Sequence, residues 1–548
     1  MSYMTEYEKW LASDAVSDEA KSELRSLSEK EIEDRFYKEL EFGTAGLRGI
    51  MGAGTNRMNI YTVRKTTQGI CLEIIDNGQE AMDKGVVVAY DSRNNSALFA
   101  LECAKVLCAN GIKTYLFDSL RPTPELSFAL RHLGCARGIV ITASHNPKEY
   151  NGYKAYGEDG GQLPPEVADV VVGYINKIDI FSDIKITEDP QYIFIGEDVD
   201  RAYIDAVKEQ SLGVKIPEDF KVVYTPLHGS GNLLVRRVLD EIGAKNVFVV
   251  PQQEKPDGNF PTVVSPNPEN AEAFTLAIEY AKEQNADIVF GTDPDSDRIG
   301  VVVRKSDGSY AVLSGNQTGS LLCEFILRKR KENGTLPSEG AVIKTIVTTE
   351  MIRAVADSFG VETIDVLTGF KFIGEKIKEF EAEGKYDKYL FGLEESYGYL
   401  KGSYARDKDA VVASMLVCEL AAELKSQGKT LYDGLIDLYE KYGYFVEVLE
   451  TKTLTGIEGI EKIREIMHKF RNSQLPLDIE RKLDYSQGID GLPKSDVLKF
   501  FLADGSWFAV RPSGTEPEIK FYFGVCGEAW ESAQEKAQAL KDKVCSLI

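Results

Sequence analysis

The sequence predicts an α/β protein of four domains, three related α/β units with mixed sheets followed by an α+β domain. Three observations carry this expectation. The chain has 548 residues, more than one core supports, since single cores rarely grow past about 250–300 residues. A strand–helix–glycine–strand pattern occurs three times, and near the C-terminus the pattern changes to alternating apolar and polar residues.

Residues 1–40 read as a charged, helical extension. The first repeat follows, with strand 86–90 (VVVAY), helix 97–110, Gly111 and strand 112–117. The second has strand 221–225 (KVVYT), helix 232–242, Gly243 and strand 246–250. The third has strand 341–347 (AVIKTIV), helix 350–359, Gly360 and strand 362–366. In each, continuous apolar strands imply a sheet covered on both faces, and the glycine suits the left-handed residue that ends a helix. Residues 497–525 alternate as strands around a turn at Asp504-Gly505, and a closing helix is expected near 528–547. The proline-rich stretch 251–270 reads as an ordered loop or connector. The expected domains are 1–205, 206–315, 316–445 and 446–548.

Composition narrows the function. The 64 Lys and Arg against 87 Asp and Glu leave a formal charge of −23. Such a surface repels polyphosphate, which argues against nucleic acid or an anionic membrane as partner, but not against a small anionic substrate held by a few gathered cations. The eight cysteines show no C-x-x-C pair and read mostly as buried free thiols. No basic stretch followed by an apolar run opens the sequence, and no apolar run reaches the ~18 residues of a membrane span. The expectation is a cytoplasmic protein.

Three segments carry chemistry. In Gly138–Tyr156 an apolar strand runs into Thr142-Ala143-Ser144-His145-Asn146-Pro147, a loop because Pro147 disfavours helix at Asn146. Ser144 therefore stands at the carboxyl end of a strand, where α/β sheets gather their chemistry. With His145 and Lys154 it supplies a nucleophile, a possible proton carrier and a cation. In Ala286–Val303, two apolar strands flank Asp293-Pro294-Asp295-Ser296-Asp297-Arg298. Alternate spacing lets three carboxylates converge, and their repulsion calls for a hard cation with oxygen ligands, such as Mg²⁺. A calcium-binding EF-hand fails, because its sixth and twelfth positions would be Arg298 and Arg304. The third segment, Arg511-Pro512-Ser513-Gly514-Thr515-Glu516-Pro517, offers a guanidinium fork and small donors to a phosphate. Two weaker loops are Phe42–Gly49, with Arg48, and Gly392–Gly398, which pairs acidic acceptors with a hydroxyl suited to sugars.

Together these segments resemble the α-D-phosphohexomutase superfamily, specifically its longer phosphoglucomutase/phosphomannomutase type. The motifs stand in that family's order from about Phe42 to the C-terminus: TASHNP as phosphoserine loop, GTDPDSDR as metal loop, GLEESYG as sugar loop and RPSGTEP as phosphate loop. The resemblance implies four domains around a central cleft and an isomerase that interconverts glucose 1-phosphate and glucose 6-phosphate. It implies a phosphorylated Ser144, a glucose 1,6-bisphosphate intermediate that also activates, and one Mg²⁺ held by Asp293, Asp295, Asp297 and the phosphoserine. His145 and Lys154 match positions of proton transfer and orientation. Arg48 and Arg298 would lie near the ligand. Thr368, Gly369, Lys371, Glu394 and Ser396 would bind the sugar, and Arg511, Ser513, Gly514 and Thr515 the phosphate that is not reacting. The partners implied are small sugar phosphates, with the chain a monomer or weak homodimer. Mannose or pentose phosphates are alternative substrates. A metal-dependent phosphatase and a non-catalytic sugar-phosphate binder are the rivals from other classes.

Overall fold

The computed structural model describes residues 2–43, 46–305, 307–454, 456–489, 491–513 and 518–548. The chain divides into two compact units. One comprises Met1–Leu313, Gly374–Gly384 and Gly398–Gly428; the other comprises Ser314–Ile373, Lys385–Tyr397 and Lys429–Ile548.

The first unit opens with three short helices, Tyr3–Ala12, Asp18–Arg25 and Glu29–Phe36. Each begins at a serine, Ser2, Ser17 or Ser28, whose hydroxyl accepts a first-turn backbone N–H. Trp10 is fully buried and meets Phe36, Tyr61 and Phe181 edge-on. That aromatic cluster fastens the N-terminal helices to the rest of the unit.

Strands β1 (Gly46–Ile50), β2 (Val86–Tyr90), β3 (Thr114–Phe117), β4 (Arg137–Ile141), β5 (Tyr150–Gly157) and β6 (Ile193–Ile195) form one sheet in the order β1-β5-β4-β2-β3-β6. The pairs β4–β2, β2–β3 and β3–β6 are parallel, while β5 runs antiparallel to both β1 and β4. Valines 86 to 88 are wholly buried, as their unbroken apolar run requires. Strands β7 (Lys221–Thr225), β8 (Asn246–Val249), β9 (Ile288–Thr292), β10 (Ile299–Arg304) and β11 (Tyr310–Val312) form the second sheet, ordered β11-β10-β9-β7-β8. It is also mixed: β7 is parallel to β8 and β9, and β10 is antiparallel to β9 and β11. Helix Ala410–Ser426 returns from later in the chain to pack on β9 and on helix Asn232–Glu241.

In the second unit, strand Ala341–Thr345 pairs in parallel with Glu362–Val366 on one side and Tyr389–Glu394 on the other. A fully antiparallel sheet follows, ordered Tyr444–Thr453, Glu518–Gly527, Trp507–Pro512, Leu498–Leu502 and Ile479–Asp484, with helix Trp530–Cys545 against it. The three repeat helices end as their glycines foretell, with φ of +75° at Gly111, +95° at Gly243 and +70° at Gly360. The hairpin turn places Gly505 at φ +80°. Strands Tyr444–Thr453 and Ile479–Asp484, both rich in charge, have no counterpart in the sequence-based expectation. The thiol expectation holds for Cys71, Cys103, Cys135, Cys323 and Cys418, but Cys526 is exposed. No described helix is long and apolar enough to cross a membrane.

A buried charge network joins the two sheets of the second unit. Lys499, on the antiparallel sheet, donates to the Ile346 carbonyl at 2.6 Å and lies 3.1 Å from Glu350. Glu350 also faces the wholly buried Lys344 at 3.2 Å. Removing one member of such a network strands the others, at a cost of about 3–5 kcal/mol. Glu350→Gln is therefore expected to lower the urea midpoint markedly. Trp10→Ala is expected to cost about 3–5 kcal/mol by leaving an aromatic-walled cavity, read in the same titration as an earlier loss of tryptophan-independent helical signal.

Candidate active site

Ser144 lies on the turn between β4 and β5, three residues beyond the end of β4, and Asp293 follows β9 directly. Both loops therefore rise from the carboxyl ends of buried strands, and both bend through a left-handed residue, Ser144 at φ +53° and Ser296 at φ +52°. A non-glycine residue held there stores about 1–3 kcal/mol, which the surroundings must supply. At Ser144 the Thr142 hydroxyl accepts the serine's own N–H at 2.8 Å. At the aspartate loop, the N–H groups of Asp297 and Arg298 donate to Asp293 Oδ1 at 3.1 and 3.0 Å, and Ser230 donates N–H and hydroxyl to the Pro294 carbonyl at 2.8 Å each.

The two loops meet. Ser144 Oγ donates to Asp293 Oδ2 at 2.9 Å. Oxygens of Asp293, Asp295 and Asp297 all lie within 4.8 Å of one another, and the three side chains are at most 1% exposed. Lys154, on β5, sits 2.7 Å from Asp295 Oδ2 and 3.2 Å from Asp297 Oδ2. The Thr123 hydroxyl donates to the same Asp295 oxygen at 2.9 Å. Lys408 approaches Asp297 Oδ2 at 2.9 Å.

Charge follows from this packing. Burial, then Asp295 and Asp297, push the Asp293 carboxyl well above its ordinary range. Burial also opposes charge on Asp297, yet Lys408, Lys154 and Arg298 outweigh it and hold that carboxyl below its usual range. Burial works against the Lys154 ammonium, but Asp295 and Asp297 more than compensate and raise it. His145, whose Nδ1 is 3.1 Å from Ser144 Oγ, is driven well below the usual imidazole value by burial and by Arg298 and Arg48, so it is neutral near pH 7.

The carboxylate trio fits a divalent cation on an observation independent of motif. Asp295 Oδ1 and Asp297 Oδ1 are buried and accept no hydrogen bond. Most buried polar atoms in folded proteins have a partner, and an all-oxygen set of this kind suits a hard ion. Among the described residues this is the one acidic or His/Cys cluster with such convergence.

The residues expected from the sequence fall into two groups. Ser144, His145, Lys154, Asp293, Asp295 and Asp297 are together in the first unit. Arg48, exposed on β1, reaches Asn146 Oδ1 at 3.1 Å, and Arg298 pairs with Glu269 and lies 3.9 Å from Asp297. The second unit holds the rest. Glu394 Oε1 accepts the Gly369 N–H at 3.0 Å, beside half-buried Thr368 and Lys371, and Ser396 follows two residues later. Arg511 is the next-to-last residue of strand Trp507–Pro512, and Ser513 N–H donates to the Glu518 carbonyl at 2.8 Å. Gly514 and Thr515 lie outside the described residues. Thr123 and Lys408 escaped the sequence reading. Lys408 had a usable signal, since Arg406-Asp407-Lys408-Asp409 is a dense charged run just before a long apolar helix. In the structure all four are nearly buried, with Tyr156 donating to Asp407 and Tyr203 to Asp409, each at 2.8 Å.

Residues 39–180, 201–308 and 314–442 match phosphoglucomutase/phosphomannomutase α/β/α domains I, II and III, and residues 450–541 match the C-terminal domain of that family. The chain is 38% identical over 519 residues to a phosphoglucomutase of Staphylococcus saprophyticus, covering 91% of this chain and 92% of that one. It is 36% identical over 531 residues to a phosphoglucomutase of Staphylococcus aureus, covering 93% and 94%. In fold it is similar to the phosphoglucomutase parafusin of Paramecium in its open form, with TM-score 0.69, 18% identity and coverage of 93% and 95%. A phosphoglucomutase/phosphomannomutase family protein of Burkholderia thailandensis gives TM-score 0.66 at 21% identity, covering 90% and 96%. The four domain matches in order, spanning most of the chain, together with relatives of this identity, place the chain in the phosphoglucomutase/phosphomannomutase family.

Proposed function

We propose that this chain is a phosphoglucomutase that interconverts glucose 1-phosphate and glucose 6-phosphate by way of a phosphoserine at Ser144 and a glucose 1,6-bisphosphate intermediate. The observation that carries this reading is Ser144 Oγ, 2.9 Å from Asp293 in a buried cluster of three carboxylates and flanking lysines. A mere binding site needs no hydroxyl aimed into a metal-binding trio.

In the first half-reaction, the free hydroxyl of the sugar phosphate attacks the phosphorus on Ser144, the bond to Ser144 Oγ breaks, and the bisphosphate forms. The bisphosphate then turns over in the site, and its other phosphate returns to Ser144. A Mg²⁺ held by Asp293, Asp295 and Asp297 with the serine phosphate would draw negative charge from the phosphoryl group. The chain's own groups do the rest. Lys154, kept protonated at rest by Asp295 and Asp297, gives its proton to Ser144 Oγ as that oxygen departs and takes back the proton that the attacking hydroxyl loses. Neutral His145 orients Ser144 Oγ without adding charge. Arg298 and Arg48 face the anionic ligand from the flanks. Glu394, with Ser396, Thr368, Gly369 and Lys371, binds sugar hydroxyls, and Arg511 and Ser513, with Gly514 and Thr515, grip the idle phosphate. Glucose is the sugar favoured here, on the Glu394-Glu395-Ser396 sequence. A mutase must also keep water from the phosphoserine, which is what separates it from a phosphatase.

Ser144→Ala is expected to fold normally and to lose at least about a thousandfold in turnover. Intact-protein mass of the wild type should show one phosphoryl group on Ser144, exchanged by glucose 1-phosphate. Release of inorganic phosphate at the rate of sugar turnover would favour a phosphatase instead. Asp295→Asn is expected to weaken Mg²⁺ binding. In wild type, saturating Mg²⁺ should raise the melting temperature, by about 2–3 kcal/mol of added stability at a hundredfold excess over the dissociation constant, and the variant should lose most of that shift. An unchanged shift would show that the ion sits elsewhere.

A further inference from the structure

Four consecutive carbonyls of the serine loop, from Ser144 to Pro147, each accept a hydrogen bond from a side chain outside the loop. Arg93 provides three of them. Its Nη2 donates to Ser144 O at 2.6 Å and to Asn146 O, and its Nη1 donates to Pro147 O at 2.9 Å and to Tyr150 O at 3.1 Å. The fourth, His145 O, accepts from Ser265 Oγ at 2.7 Å. Ser265 belongs to the proline-rich stretch between β8 and β9, which the sequence suggests is an ordered loop or a connector.

Arg93 is itself held from both sides. It is 3% exposed, and its Nε faces Asp91 at 3.4 Å. Asp91 in turn accepts the Arg93 N–H at 2.9 Å and the Ser96 hydroxyl at 2.7 Å. From the other side, Phe260 of the proline-rich stretch lies under the guanidinium, 5.1 Å from ring centre to Cζ. Gly258 approaches so closely that a Cβ there would lie 2.2 Å from the Asn94 nitrogen. A planar guanidinium spreads its donors over three nitrogens in fixed directions, and here two of those nitrogens reach four carbonyls; an ammonium has three donors on a single nitrogen and reaches fewer.

We propose that Arg93, assisted by Ser265, is the positioning residue that aims Ser144 for phosphoryl transfer. The clamp turns the loop's carbonyl oxygens toward the guanidinium and keeps Ser144 in its left-handed conformation, with Oγ against Asp293. It acts through the backbone and touches no reacting atom. The inference rests on the mutase reading above.

The test uses the full-length protein with Mg²⁺ and follows transfer of phosphate from glucose 1,6-bisphosphate to Ser144 by rapid quench and intact mass. If wild type takes up no phosphoryl group, the mutase reading itself fails, whatever Arg93 does. If wild type is phosphorylated, Arg93→Lys is expected to slow transfer and kcat by about a hundredfold, as misplacement of a reacting group by about 1 Å does, with KM within about threefold. The Mg²⁺-induced shift in melting temperature should stay as in wild type, and guanidinium ion should restore part of the activity to Arg93→Ala. A folded Arg93→Lys that transfers at the wild-type rate overturns the proposal. So does a variant whose losses appear in KM and Mg²⁺ binding rather than in transfer. Should the Arg93 variants not fold, Ser265→Ala decides: a severalfold lower kcat at unchanged KM supports the clamp, and an unchanged kcat overturns it.

Discussion

Three carboxylates buried within 4.8 Å of one another repel strongly. Two like charges about 4 Å apart interact by on the order of 4 kcal/mol at an effective dielectric near 20. Three of them in one pocket threaten a large share of the stability a folded domain has to spare. The protein answers with counter-charge and donors drawn from separate parts of the chain. Lys154 comes from β5, Thr123 from the start of helix Thr123–Leu133, and Lys408 from the turn before helix Ala410–Ser426. Each must arrive within hydrogen-bond distance, so the packing of the first sheet, the second sheet and the returning helix is bound to the aspartate loop.

This dependence extends into the surrounding framework. The loops bearing Ser144 and the aspartates leave buried strand ends, where neighbouring strands cannot slide without exposing apolar surface. The flanking polar groups are themselves tied down: Asp407 by Tyr156, Asp409 by Tyr203 and Tyr404, and the Pro294 carbonyl by Ser230. Left-handed conformations at Ser144 and Ser296 persist because such bonds over-determine them. The result is a Ser144 hydroxyl already aimed at Asp293, the kind of preset geometry that the proposed phosphoryl transfer calls for.

Much of this was legible in the sequence, for identifiable reasons. The three repeats show as runs of apolar residues, and their glycines mark helix ends because only an achiral residue adopts positive φ there at low cost. Asp293, Asp295 and Asp297 stand out because buried strands on both sides leave little reason for a solvated acidic turn to cluster three acids there. Ser144 stands out because a proline follows soon after an apolar strand. Where the pattern was weak the reading failed: strands Tyr444–Thr453 and Ile479–Asp484 carry charges that mask their periodicity.

By itself, then, the sequence determined the α/β class, the repeated design, the serine loop at a strand end and the acidic trio, since each of these is encoded in residues close together along the chain. Only the tertiary structure decided which cations answer the trio and what holds the serine loop. Lys408 is more than a hundred residues from Asp297, and Arg93 and Ser265 lie on opposite sides of Ser144 in the chain. A lone lysine, arginine or serine looks like ordinary surface in a sequence. Its meaning appears when folding removes water and leaves one partner in reach.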